Sequence, residues 1–264
     1  MRFPAPLLVP ILPFTLMAPT GGSLPDTGQT LCDNGSNVLA ACTSANSGDT
    51  ATYPRQDGRF GRDAKASAGT LVKACGGAAG FDYCKIANNG TDLGAGVGLV
   101  PGTGPTDWAC TGDNSTGLIW EVKVNDATQL RHWNWTYTWY NSVGTTNGGD
   151  AGTVSGGTCL TSGRCDTEKF VVDVNAAALC GFTDWRLPTL RELFTLVHFG
   201  AENPSIDATY FPNTQAANFW SLTPSTVYTP NNVWTVTFGV GNTNVSDKSN
   251  GGYVSARLVR GASF

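Results

Sequence analysis

Residues 181–200 read GFTDWRLPTLRELFTLVHFG, the stretch where an extended lead-in, a proline and a capped amphipathic helix follow without a gap. Leu187 precedes Pro188, whose ring disfavours helical backbone at the residue before it, so the chain arrives extended. Thr189 and Glu192 have the T-x-x-E spacing of a capping box, in which a hydroxyl and a carboxylate each satisfy a backbone N–H left over at a helix start. A helix is therefore expected from Leu190. Leu190, Leu193, Phe194, Val197 and Phe199 fall near one face, Arg191 and Glu192 turn outward, and Gly200 supplies a left-handed stop. Such a helix must bury its apolar face against another layer.

Working outward, Asp166 has the character of an N-cap. Glu168 complements the positive helix start, and Phe170, Val171, Val174, Ala177 and Ala178 recur at helical spacing up to Gly181. Trp185 and Leu187 lie between the two helices with Arg186, whose donors are expected to hold carbonyls or a carboxylate beneath them. Beyond Gly200, an aromatic-anchored loop through Tyr210 and Phe211 leads to strand-like runs at 218–222, 232–238 and 252–259, separated by Asn-, Gly- and Ser-rich turns. Upstream, Asp113-Asn114 and Thr116-Gly117 form a turn before Leu118-Ile119-Trp120, which reads as a hairpin. The expected fold class is α+β, two helices packed on an antiparallel sheet, loop-rich and disulfide-containing.

The N-terminal third is less ordered in pattern. Residues 1–22 carry Arg2 and then an apolar run from Pro4 to Pro19, broken by Pro6, Pro10 and Pro13 and shorter than the roughly 20-residue span of a membrane helix, and they read as a signal peptide. The alternative is a disordered apolar tail. Residues 23–107 are rich in Gly, Asn and Asp, and are expected to be tied down by bridges and docked on the later core. The Gly-rich run 92–106, with Pro101 and Pro105, reads as a loop or linker before a domain at 108–264. No membrane span is expected in the mature chain.

Eight cysteines form an even set in an apparently exported protein, which favours disulfides. There is no C-x-x-C, and His132 and His198 are remote from every cysteine in sequence, so neither a metal site nor a cofactor is expected. Among about 105 pairings, the short separations favour Cys32 with Cys42, Cys75 with Cys84 and Cys159 with Cys165, leaving Cys110 with Cys180. A net charge of −4 argues against nucleic acid or an acidic membrane as partner.

Several motifs recur in family order: CTGDNSTGLIWEVK at 110–123, WTYTWYN at 135–141, CDTEKFVVDVNAAALCGFTDWRLPTLREL at 165–193, IDATYFPNT at 206–214, FWSLTP at 219–224 and ARLVRG at 256–261. Together they resemble the bacterial domain family named for the C-terminal domain of the Legionella collagen-like adhesin. RLPT at 186–189 and RLVRG at 257–261 are also similar to the formylglycine-generating fold. The resemblance implies a C-type-lectin-like α+β core and an adhesive domain that binds sulfated glycans. The adhesin's collagen-like repeat is absent here, and the negative net charge is opposite to what a polyanion attracts. No cysteine follows Cys180, so formylglycine-type chemistry on C-terminal cysteines has no counterpart.

No nucleophile elbow or paired carboxylates stand out, and the expected function is a non-catalytic exported binding module for a glycan or a cell-envelope surface protein. A structural or protein-interaction component of the envelope is the alternative, and a divergent enzyme on the formylglycine-type fold a remoter one. The candidate binding face is the loops between C-terminal strands, Tyr228, Asn231, Asn232, Asn242, Asn244, Asp247, Lys248 and Tyr253. Polar side chains beside tyrosines make adaptable contacts. The alternating rings at 133, 135, 137 and 139 would share one face of an extended chain, filling the core or offering Trp135 and Trp139 as a sugar-stacking platform.

Overall fold

The computed structural model describes residues 26–33, 39–42, 56–225 and 229–263. The signal peptide expected at 1–22 and the candidate residue Tyr228 lie outside them. Two sheets organise the chain. One is five-stranded and antiparallel, built from β3 (Tyr83–Ala87), β4 (Asp92–Gly94), β5 (Trp108–Asp113), β6 (Ile119–Glu121) and β11 (Val259–Arg260), in the order β11-β6-β5-β3-β4. The other has the order β10-β7-β8-β9, from β7 (Asn218–Pro224), β8 (Asn232–Thr237), β9 (Asn242–Asp247) and β10 (Val254–Ser255). Ahead of both stands a small hairpin, β1 (Leu31–Asp33) with β2 (Leu39–Ala41), stapled by Cys32–Cys42.

The C-terminal third thus differs from a single antiparallel sheet. β10 pairs parallel with β7, and the chain then crosses through buried Ala256, Arg257 and Leu258 to place β11 in the other sheet. Residues 242–247, read as binding loop, form the edge strand β9. Their Asn-rich sequence hides a six-residue ladder with β8 because strand formation here comes from register against Val233 and Val236, not from local propensity. The expected β5–β6 hairpin is present. Asp113 accepts from Ser115 N and Thr116 Oγ1, and Gly117, at φ +77, lets the turn close onto Asp113 O.

The boundary expected near 107 is crossed by the five-stranded sheet. β3 is buried along its whole length and pairs with β5, so residues from about 75 onward belong to the same core as the later motifs. A strand buried on both faces does not alternate, and Lys85 at its centre masks it further. The docking of the preceding segment is as expected. α1 (Gly61–Ser67) carries buried Asp63, which accepts from Gly80 N at 2.6 Å and from Thr27, while Arg62 Nε reaches Asp26 at 3.1 Å and Phe199 N donates to Thr27 O.

α2 (Thr167–Ala176) begins at the expected cap, Asp166 accepting from Lys169 N at 2.9 Å. It stops short of Gly181 because Ala178 and Cys180 adopt left-handed backbone where the Cys110–Cys180 bridge holds the chain to β5. All four disulfides follow the pairing that the separations favour. α3 (Leu190–Phe194) has the complete capping box of Thr189 and Glu192. It is only five residues long: the Thr195 hydroxyl takes Glu192 O, Leu196 N and Val197 N tighten onto carbonyls three residues back, and His198 N and Phe199 N then leave for Ser205 O and Thr27 O. Glu192 does not turn outward. It is fully buried, bidentate on Arg186 at 2.7 and 2.8 Å, and bonded to Thr189 N. Arg186 fulfils its expected structural role from the segment that pairs with Val259.

Two apolar clusters fill the interior. α2 packs Phe170 and Val174 into one with Trp139, Trp185, Trp220 and Leu258, and α3 brings Leu193 into the other with Trp120, Phe211 and Phe238.

Candidate ligand-binding cleft

The structure separates the residues expected to form one binding face. Asn242 lies about 17 Å along β9 from Asp247, five residues at roughly 3.3 Å each, because the strand runs between them. Lys248 is only 1% exposed. Its ammonium donates to the carbonyls of Asn147, Asp150 and Pro230 at 2.8, 2.5 and 2.6 Å and sits 4.7 Å from the Trp139 ring centre. Burial lowers its pKa, partly offset by Asp150. It is a structural cation, not a surface ligand group. Asp247 accepts from Asn231 and twice from Ser249, and Asn232 donates to Thr229, so these polar groups close turns on one another. Asn244 accepts from the backbone N–H of Val245. Asn242 and Asn244 are exposed, and Tyr253 is 81% exposed beside the 248–252 turn.

The aromatic stretch also divides. Trp139 is fully buried, its indole donating to Ser221 O at 3.0 Å, and is no stacking platform. Trp133 and Trp135 are half-buried, and their indoles brace a turn. Trp133 Nε1 donates to Asn125 Oδ1 at 2.7 Å and Trp135 Nε1 to Gln129 O at 2.8 Å. That turn walls a cleft of about 380 Å³, lined further by Val100, Gly102, Asp126, Pro212 and Asn213. A second cleft of about 210 Å³ shares Thr103 and Gln129 with it.

The scaffold around this cleft is rigid for identifiable reasons. Arg131, almost fully buried, donates to the carbonyls of Ala109, Val122 and Gly102, tying β5, the end of β6 and the 100–103 wall together. Asn213 Nδ2 donates to Lys123 O at 3.1 Å, which fixes the third wall. Asp126 accepts from Thr128 N at 2.9 Å and Thr128 Oγ1 at 2.7 Å, and these bonds hold its carboxyl below the usual range, so it is anionic at neutral pH. Sequence reasoning reached Trp135 but not the cleft, because its walls come from three separate segments. The one available signal was the Asn-Asp-x-Thr turn at 125–128 beside two tryptophans.

Behind the cleft lies a charged interior. Lys123 Nζ contacts Glu121 at 2.8 Å, and burial, partly offset by Glu121, pulls its pKa down to about 8. Arg257 donates to Glu121 O and Thr214 and lies over the rings of Phe211 and Phe219. Leu258 N donates to Glu121 Oε2, so this pair ties the crossing segment to β6. Among the described residues the cysteines and aspartate nearest to sharing a metal are Cys75, Cys84 and Asp92, whose two sulfurs form a disulfide.

Fold and cleft together define a disulfide-bridged α+β domain with a braced cleft at the end of its five-stranded sheet where the chain enters β5 and leaves β6. The Lcl C-terminal domain family matches residues 109–260, and the chain belongs to that family. No curated protein and no solved structure matches the chain.

Proposed function

We propose that the protein is an exported, non-catalytic binding module that recognises a glycan through the cleft between residues 100–103 and 124–129, on a C-type-lectin-like architecture. The observation that carries this reading is the cleft itself: concave, lined by a carboxylate and side-chain amides already oriented by the protein, and braced by two indoles. Four disulfides suit an oxidising compartment, and no described helix is long and apolar enough to cross a membrane. The test is a glycan array probed with the oxidised protein and with an Asp126→Ala/Asn213→Gly variant. Binding by the wild type that the variant loses, with its melting temperature retained, is the expected result; turnover of a glycan, or no glycan bound, refutes it.

A protein partner is the second reading. It is favoured by the apolar tip next to the cleft, where Val97 and Val100 are 95% and 78% exposed. Capture of an envelope protein that Val97→Ser/Val100→Ser abolishes, without glycan binding, would select it.

A further inference from the structure

Resting on the glycan-binding reading, we infer that the ligand of this cleft is an uncharged, hydroxyl-rich glycan and not a sulfated or uronic one. An indole N–H is only a donor, so Trp133 obliges Asn125 to present its oxygen to the ring and leaves the Asn125 NH2 unspent by that bond. A backbone carbonyl is only an acceptor, so Lys123 O obliges Asn213 to present its NH2 and leaves the Asn213 oxygen as an acceptor. Asp126 takes Thr128 on Oδ1 and keeps Oδ2 as a second acceptor. With the Gln129 amide and the Thr103 hydroxyl, which both donate and accept, the lining therefore surrounds two fixed acceptors with several groups that can do either. A sugar hydroxyl both donates and accepts, and satisfies all of them. Ionised sulfate and carboxylate groups only accept, and would face Asp126 and the Asn213 oxygen with nothing to donate.

Charge leads to the same ligand class. The first cleft has no Lys or Arg in its lining, and Arg131 in the second is spent on three carbonyls. Lys85, Lys123, Lys248 and Arg257 are interior. Arg62, Arg164, Lys169, Arg186 and Arg260 are each paired with a carboxylate. Polyanion recognition needs exposed cations gathered at the site, and here the charge gathered at the site is that of Asp126.

The experiment measures binding of the full oxidised chain to immobilised neutral hexasaccharides of glucose, mannose or N-acetylglucosamine, and to heparin. It is run at about 50 and about 500 mM salt, since added salt screens charge-driven binding. At least one neutral oligosaccharide is expected to bind with affinity nearly independent of salt, weakened at least about tenfold by Asn213→Gly or Asp126→Ala. Glycine suits the left-handed backbone of Asn213, φ 57, so that variant removes the amide and its bond to Lys123 O without backbone strain, and Asp126→Ala tests the cleft with that wall intact. Preferential, steeply salt-dependent binding to heparin overturns the inference while the glycan-module reading stands. Neutral binding indifferent to both substitutions overturns the assignment to this cleft. Binding to neither class sinks the inference and the glycan reading together.

Discussion

Replacing Lys248 tests whether a residue with the composition of a ligand contact is instead a structural pin. Three carbonyls converge on its ammonium at 2.5 to 2.8 Å, from the 147–150 loop and from Pro230, and the charge rests on the Trp139 face. Hydrogen bonds to a charged group contribute about 1.5–3 kcal/mol each, but water reaching the vacated, partly buried carbonyls recovers much of that. Lys248→Met keeps most of the stem and loses only the charge and its bonds, with an expected cost of about 3 kcal/mol. Lys248→Ala also forfeits buried methylenes at about 0.8 kcal/mol each, bringing the cost to about 5 kcal/mol. Urea titrations followed by tryptophan fluorescence measure both, with the exposed Asn244→Ala as a control expected within about 0.5 kcal/mol of wild type. If Lys248→Ala behaved like that control, the interior position of Lys248 and the packing of the 147–150 loop against β9 would both be wrong.

Burial raises the Asp26 carboxyl to about 7, partly offset by Arg62, and Asp113 to about 6. The folded protein therefore binds protons that the unfolded chain has released above about pH 4. Stability is expected to be greatest below that, as far as these two groups go, and to fall as pH rises through about 7. Melting temperatures should decline from pH 5 to 8, and Asp26→Asn should flatten the decline; an equally steep slope in that variant would remove Asp26 as its cause. For the disulfides, loop entropy assigns about 4 kcal/mol to Cys110–Cys180, which spans 70 residues, and about 2 kcal/mol to Cys159–Cys165, which spans six. Paired alanine replacements compared by denaturant melts should show that order, and the reverse would mean that strain or residual structure outweighs loop length.

Much of the local architecture was legible because it depends on neighbours in sequence. Thr189 with Glu192, Asp166 with Lys169 N and the Asp113–Gly117 turn all satisfy backbone groups within a few residues, and all three are present. Short separations likewise pointed to the cysteine pairs. Helix lengths were misjudged for a tertiary reason: the backbone donors of His198 and Phe199 bond to Ser205 and Thr27, the latter some 170 residues away. The setting of Lys248 and the grouping of the candidate residues were misread for a related one. Asn242 and Asp247 are near in sequence, but an intervening strand holds them apart, and a lysine in a polar loop carries no local mark that three carbonyls will enclose it.

What the sequence by itself determined is the α+β class, the caps and, through its motifs, the family; its spacing favoured a disulfide pairing, and the structure decided it. Each is written in spacing along the chain or in residue types that admit few backbone conformations. Only the tertiary structure decided that β3 belongs to the main sheet, that β10 and β11 part into different sheets, and that the tryptophans at 133 and 135 brace a cleft with Asp126 and Asn213. Those outcomes depend on which distant groups arrive to bury a face or take a hydrogen bond, and burial is a property of the packed chain, not of the residue.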